Sequence, residues 1–167
     1  KTLPGLRGLE KYAVTCGGGF SHRIGLYDAV LVKDNHLAHV PAHQLQMALG
    51  KAIRKARRAE PPPEFIEVEV DTLEQFGHVL TCDVDVILLD NMTLAQLRGA
   101  VTLRNKQAPK VQLEASGGVT LQTVHKIAST DVDRIAVGAI THSAPALDIA
   151  LDIRGDIWGD DRGDDTP

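Results

Sequence analysis

Five short apolar stretches recur along the chain, at residues 29–33, 65–70, 84–89, 111–115 and 134–137, and each gives way to polar residues or glycine. Short continuous apolar runs bounded in this way fit the buried strands of a parallel sheet. Between them lie segments of helical spacing. One opens at Pro41 and runs to about residue 58, with Leu45, Ala48, Leu49, Ala52 and Ile53 on one stripe. Others span residues 72–80, where Thr72 and Gln75 have capping-box spacing, then 93–105, 120–128 and 145–151. A helix over 6–14 precedes the first strand and is stopped by the glycines at 17–19. Strand and helix alternate throughout, so the expected class is α/β with parallel strands and right-handed crossovers. The strand ends fall near residues 33, 70, 90, 115 and 137. A closed eight-unit barrel takes roughly 250 residues, so a chain of 167 holds about five β/α units, either as an open sheet or as part of an incomplete, open TIM-like barrel.

Composition narrows the function classes. The 18 Lys and Arg against 22 Asp and Glu give a formal charge of −4, which argues against a general nucleic-acid binder. No run approaches the roughly 18 apolar residues of a membrane span, and no basic segment followed by an apolar one opens the chain. The two cysteines, Cys16 and Cys82, are too few for a disulfide scaffold, so a reducing, cytoplasmic setting is expected. Residues 154–167 are polar and aperiodic, with five aspartates against two arginines, and are expected to form an acidic disordered tail behind a domain of residues 1–153. The opening Lys1-Thr-Leu-Pro-Gly-Leu-Arg7 reads like the inside of a motif, and a piece of a larger protein is expected.

In parallel α/β folds the ligand sits beyond the carboxyl ends of the strands. On the second strand Glu67, Glu69 and Asp71 share one face by period 2, while Ile66, Val68 and Val70 share the other. Three carboxylates cannot pack on an apolar helix, so that face looks into a polar cavity or binds cations; the alternative is a solvated edge strand. Asp90 ends the third apolar run, either as a helix cap or as a second acid of the same site, and Glu114 and Ser116 share a face of the next strand. Together these acids suit Mg²⁺ or the hydroxyls of a sugar. Ser116, Gly117 and Gly118 follow one strand and Gly138 the next, where close backbone approach favours a phosphate, although each glycine alone reads as a turn. Lys1, His22, Arg23 and Lys33 gather cationic charge in the first third. Lys33 at a strand end calls for an anionic partner, which can be a substrate or one of the acids; His22 and Arg23 can equally be surface residues. The basic run over residues 51–58 occupies the face opposite the apolar stripe and reads as a solvated helix face. A cationic region, an acidic region and a phosphate cradle suit glycosyl transfer from a phosphorylated sugar to an anionic acceptor.

With those residues in place, the sequence resembles the quinolinate phosphoribosyltransferases. The resemblance rests on Lys1-Thr-Leu-Pro-Gly-Leu-Arg7, Gly17-Gly-Gly-Phe-Ser-His-Arg23 with Gly25-Leu-Tyr-Asp28, Lys33-Asp-Asn-His36, Glu67-Val-Glu-Val-Asp71, Leu88-Leu-Asp-Asn91, Leu113-Glu-Ala-Ser-Gly-Gly118 and Val137-Gly-Ala-Ile-Thr-His-Ser-Ala144, in family order. It implies an incomplete barrel domain and a reaction of quinolinate with phosphoribosyl pyrophosphate to nicotinate mononucleotide, pyrophosphate and CO₂. By the same resemblance Lys1, His22, Arg23 and Lys33 bind the quinolinate carboxylates. Glu69 and Asp90 hold the ribose hydroxyls and Mg²⁺, with Lys33, Glu69 and Asp90 as the catalytic set, and Ser116, Gly117, Gly118 and Gly138 take the 5′-phosphate. The family also implies a homodimer or higher homo-oligomer, an N-terminal α/β domain and an arginine just before the lysine matching Lys1, and without that domain the 167-residue chain is expected to be inactive. The alternatives are a phosphoribosyltransferase-like paralogue associated with molybdenum transport, disfavoured by Lys33-Asp-Asn-His36 and Glu67-Val-Glu-Val-Asp71, and a non-catalytic assembly module.

Overall fold

A computed structural model describes residues 1–37 and 39–152 of the chain, and the expected tail at 154–167 lies outside the described residues. In chain order the elements are α1 (Arg7–Cys16), β1 (Val30–Val32), α2 (Asp34–Leu37), α3 (Ala42–Ala56), β2 (Ile66–Val70), α4 (Leu73–Val79), β3 (Val86–Asp90), α5 (Leu94–Gln107), β4 (Gln112–Ser116), α6 (Leu121–Ala128), β5 (Arg134–Ile135) and α7 (Ala139–His142). The five strands form one sheet in the order β1-β2-β3-β4-β5, and every neighbouring pair is parallel. Strands that follow one another in space as in sequence, joined by crossovers of one hand, place their helices on a single side. The sheet is therefore an open arc of a TIM-like barrel, as expected, rather than a doubly wound layer.

Register divides the sheet into two unlike faces. Pairing of Val30 with Ile66, Val68 with Ile87, Val70 with Leu89, and Ile87 with Leu113 puts aliphatic side chains in rows on one face. That face packs on Leu45, Leu49 and Ile53 of α3, Phe76 and Val79 of α4, and Leu97, Ala100 and Val101 of α5, all in one core cluster. Burying side chains of this size stabilises the fold by about 1.5–3 kcal/mol each. The other face carries Leu31 beside Glu67, Glu69 beside Leu88, Leu88 beside Glu114, Asp90 beside Ser116, and Glu114 beside Arg134. It is a charged face built on a sheet whose back is dry.

The amino ends of the strands repeat one device. Asp85, just before β3, accepts from the Ile66 N–H at 2.6 Å and pairs with Arg57 at 2.8 Å. Asp133, just before β5, accepts from the Leu113 N–H at 2.7 Å and pairs with Arg104 at 2.6 Å. Each aspartate thus ties its strand to the preceding strand and to the carboxyl-terminal part of the helix that leads into that preceding strand.

Two expectations are corrected. Residues 145–151 form no helix, and Leu147, Ile149 and Leu151 are exposed. A helix that short depends on tertiary packing, which these side chains do not find, and the turn forms earlier as α7. The Thr72–Gln75 pair is half a capping box: Thr72 Oγ1 accepts from Gln75 N, but Gln75 Oε1 accepts from Asp71 N. Reciprocal boxes are at Thr93 and Gln96, at the start of α5, and at Thr120 and Thr123, at the start of α6. Helix α1 buries no side chain and touches α7, with Leu9 and Tyr12 exposed. Among the described residues no helix is long and apolar enough to cross a membrane.

Candidate active site

β2 lies between β1 and β3, so it is no edge strand and its carboxylates face the charged side of the arc. They differ in depth. Glu67 is fully buried, the Glu69 side chain is 13% exposed, and Asp71 is exposed, so only the outer part of this row meets solvent. Lys33 Nζ donates to Glu69 Oε2 at 3.0 Å. The cationic and acidic groups separated in the sequence are therefore interleaved.

His22 arrives over this face from the connection between α1 and β1. Its Nε2 stands 2.8 Å from Glu67 Oε2 on β2 and 3.3 Å from Glu114 Oε1 on β4. No N–H···O line in this triad is straight enough for a hydrogen bond, so these are ion-pair approaches rather than directed bonds. Glu114 first and Glu67 second draw the imidazole up to about 9, against the opposing effect of burial. The Phe65 ring meets the imidazole edge-on at 5.7 Å, and the Arg134 guanidinium lies 5.4 Å from the centre of that same ring. Two buried carboxylates thus share one imidazolium.

Arg23 is half-buried beside His22, and the groups around it extend the cationic region to Arg7 and Lys11, which the sequence reading omitted. Burial first, then the Arg7 and Arg23 charges, lower the Lys11 pKa, with Asp28 opposing. The omission has a plain cause: α1 reads as an amphipathic helix, and only the fold returns its charged side to the 22–24 turn, where Arg7 donates to the Ile24 carbonyl at 3.4 Å.

Asp90 closes β3 on the same face as Glu69, one step further toward the strand exits. Thr93 caps α5, so Asp90 is free of the capping role. Asn91, with φ 52°, donates to Asp90 Oδ2 at 2.8 Å, and its N–H donates to the Ser116 carbonyl at 2.9 Å. Asn91 therefore orients Asp90 and staples the β3 exit to the β4 exit. Gly117, at φ 94°, fits because a Cβ there would overlap the Asn91 side chain. Gly118 is also left-handed, at φ 58°, and leaves the backbone of the loop bare.

Lys1 is exposed, and its carbonyl accepts from Thr141 Oγ1 at 2.6 Å. Thr141 Oγ1 also donates to the Gly138 carbonyl at 3.0 Å, so Lys1 and Gly138 meet at the β5 exit. Helix α7 has four residues and offers little dipole there; what Gly138 supplies is backbone access. His22, Lys33, Glu69 and Asp90 thus lie over the charged face and Lys1, Ser116, Gly117, Gly118 and Gly138 at its strand exits, while Arg23 follows His22 in the connection between α1 and β1.

For Mg²⁺ the relevant donors are Glu69 and Asp90. Lys33 engages one oxygen of Glu69 and Asn91 one of Asp90, so among the described residues each keeps an unengaged carboxylate oxygen. That donor set, all oxygen and adjacent at the strand exits, fits a hard divalent cation.

A barrel arc with charge-paired side chains inside and glycine exits at β4 and β5 defines a β/α-barrel domain suited to a phosphorylated, anionic small molecule. The family described as quinolinate phosphoribosyl transferase, C-terminal domain, matches residues 1–152, and the chain belongs to that family. A nicotinate-nucleotide pyrophosphorylase (carboxylating) of Mycobacterium leprae is 49% identical, over 89% of this chain and 50% of the relative. That of Homo sapiens is 39% identical, over 90% and 48%. The solved nicotinate-nucleotide pyrophosphorylase from Francisella tularensis superposes with a TM-score of 0.72 at 40% identity, covering 84% of this chain and 46% of that one. The chain spans about half the length of the curated relatives it matches.

Proposed function

We propose that the protein transfers the phosphoribosyl group of phosphoribosyl pyrophosphate to quinolinate with decarboxylation, giving nicotinate mononucleotide, pyrophosphate and CO₂, in NAD biosynthesis. The observation that carries this reading is the placement of His22, Lys33, Glu69 and Asp90 on one face of the arc, with the Gly117–Gly118 turn beside them. The relatives' names support it over the molybdenum-associated paralogue and over an assembly module.

In this reading Lys1, His22, Arg23 and Lys33 pair with the two carboxylates and aim the pyridine nitrogen at the anomeric carbon, a positioning effect. Lys33 exchanges its bond to Glu69 for the substrate, which frees the Glu69 carboxylate for a ribose hydroxyl. Glu69 and Asp90 stabilise positive charge developing on the ribose as the C–O bond to pyrophosphate breaks. Bound Mg²⁺ would supply charge neutralisation to the departing pyrophosphate. Ser116, Gly117, Gly118 and Gly138 hold the 5′-phosphate. The new N-glycosidic bond leaves a pyridinium, which accepts the electron pair released when the 2-carboxylate departs as CO₂; a proton then replaces it. The reading includes a homodimer or higher homo-oligomer, supported by the exposed Leu9, Tyr12 and Ile140 on α1 and α7, and a cytoplasmic setting.

The test is quinolinate binding by the chain, and quinolinate-dependent release of CO₂ and pyrophosphate, with Mg²⁺ present, once the N-terminal α/β domain that the resemblance implies is supplied. Lys33→Ala and Glu69→Ala are each expected to cut turnover by about a hundredfold or more. Failure of the chain to bind quinolinate, or turnover unchanged in both variants, overturns the reading.

A further inference from the structure

Glu67 and Glu114 are unusual among the acids of this protein. They are 0% and 3% exposed, and among the described residues no lysine or arginine pairs with either. Lys33 goes to Glu69, Arg57 to Asp83 and Asp85, and Arg104 to Asp133. Both oxygens of Glu67 and one of Glu114 are buried without a hydrogen bond. Burying one carboxylate costs several kcal/mol unless an opposite charge compensates, and here two stand on either side of β3 with one cationic neighbour between them. That neighbour is His22. Its Nε2 is wholly buried against them, so the 27% of its side chain that solvent reaches is the part turned away from the acids. The groups facing it are Glu67 from β2 and Glu114 from β4, with Arg134 of β5 one ring further off, across Phe65.

We propose, on the quinolinate reading above, that Glu67 and Glu114 are positioning residues that act through His22: from two strands they fix its ring over the sheet and keep it an imidazolium, a standing cation for a dicarboxylate substrate. They do not touch the substrate. An imidazole with its ordinary value near 6.5 is largely uncharged at pH 8, so a pocket that relied on it would lose charge across the physiological range. The carboxylate pair removes that dependence, which gives a functional reason for burying an acid pair that apolar residues would replace at no loss of stability. Geometry and charge agree: the approaches of 2.8 and 3.3 Å come from one nitrogen to two acids, and its own elevated value of about 9 follows from them.

The experiment compares the full chain with Glu114→Gln, and with Glu67→Gln should the first fail to fold. Two measurements run across pH 6 to 9: the ring titration of His22 by NMR, assigned by difference from His22→Gln, and quinolinate affinity by calorimetry. The expected result is a His22 titration moved toward the ordinary range, with quinolinate bound about tenfold more weakly at pH 8 and less than about twofold more weakly at pH 6. A purely structural role would weaken binding equally at both. A His22 titration that does not move, or affinity loss independent of pH, overturns the proposal while leaving the quinolinate reading in place. Absence of quinolinate binding by the unsubstituted chain overturns both. Broadening of the His22 resonance by Mn²⁺ alone, abolished by Glu114→Gln, also overturns the proposal, because a metal rather than a proton would then lie between ring and acids.

Discussion

The amino ends of the sheet and its inner face use ionised side chains in opposite ways. At the amino ends, Asp85 and Asp133 each take a backbone N–H and an arginine, so their charge is matched by directed hydrogen bonds. On the inner face, Glu67 near the start of β2 and Glu114 in the middle of β4 are more deeply buried, have no such bonds and share a single imidazole. The first pattern satisfies two half-exposed acids with directed bonds; the second leaves polar capacity unspent in fully buried ones, which is typical of a site. In β/α barrels the amino ends serve stability and the chemistry gathers at the carboxyl ends, toward which Glu69 and Asp90 continue the same inner face.

Removing a clamp at the amino ends should therefore have the largest effect on stability. Arg104 is nearly buried, and its guanidinium holds Asp133, the Val111 carbonyl and Asn105 together. Arg104→Ala is expected to lower the unfolding free energy by about 3–5 kcal/mol, read from urea denaturation. The equivalent Arg57→Ala, whose side chain is 33% exposed, should cost only about 1 kcal/mol. Equal losses would mean that burial does not set the strength of the two clamps.

At the carboxyl ends the sensitive point is backbone rather than charge. Gly117→Ala forces a side chain onto φ 94° and brings its Cβ to 2.9 Å from Asn91 N. A loss of about 2–3 kcal/mol is expected in thermal unfolding. Since Asn91 orients Asp90, pyrophosphate release should fall by more than the change in folded fraction explains. Gly118→Ala, also at positive φ but with open space around its Cβ, should strain the turn without moving Asn91. Matching activities in the two variants would separate Asn91 from the site.

The rows of the sheet were legible in sequence because period 2 is a local property: Ile66, Val68 and Val70 went to the core and Glu67 and Glu69 to the other face. The strand-exit acids and glycines were legible for the same reason. What sequence could not supply was who meets whom across the fold. The sequence leaves Lys33 to a substrate or to one of the acids, and only the fold selects Glu69. Glu114 was seen only as an acid on the face of Ser116, and nothing local connects it to His22, which belongs to a loop before the first strand. Asn91 was quoted only within the Leu88-Leu-Asp-Asn91 motif, and its role depends on the register between β3 and β4. The failed helix over 145–151 is the converse case, a local pattern with no tertiary face to hold it.

The smallest effect discriminates most finely between clamp and inner face, because it is carried by a proton. His22 has its folded value raised to about 9 from an unfolded value of 6.5. A raised value means that the folded state binds the proton more tightly, so this contribution is complete below about 6.5 and is lost as pH rises through about 9. Its size, after screening at the exposed part of the ring, is on the order of 1–2 kcal/mol. Urea midpoints should fall accordingly between pH 6.5 and 9. Glu114→Gln leaves one carboxylate against one imidazole, so the fall should shift to lower pH while stability at pH 6 changes by less than about 1 kcal/mol. An alkaline slope that survives Glu114→Gln and disappears in Arg104→Ala would place the proton at the clamps rather than on the inner face, and sink the contrast between clamp and site.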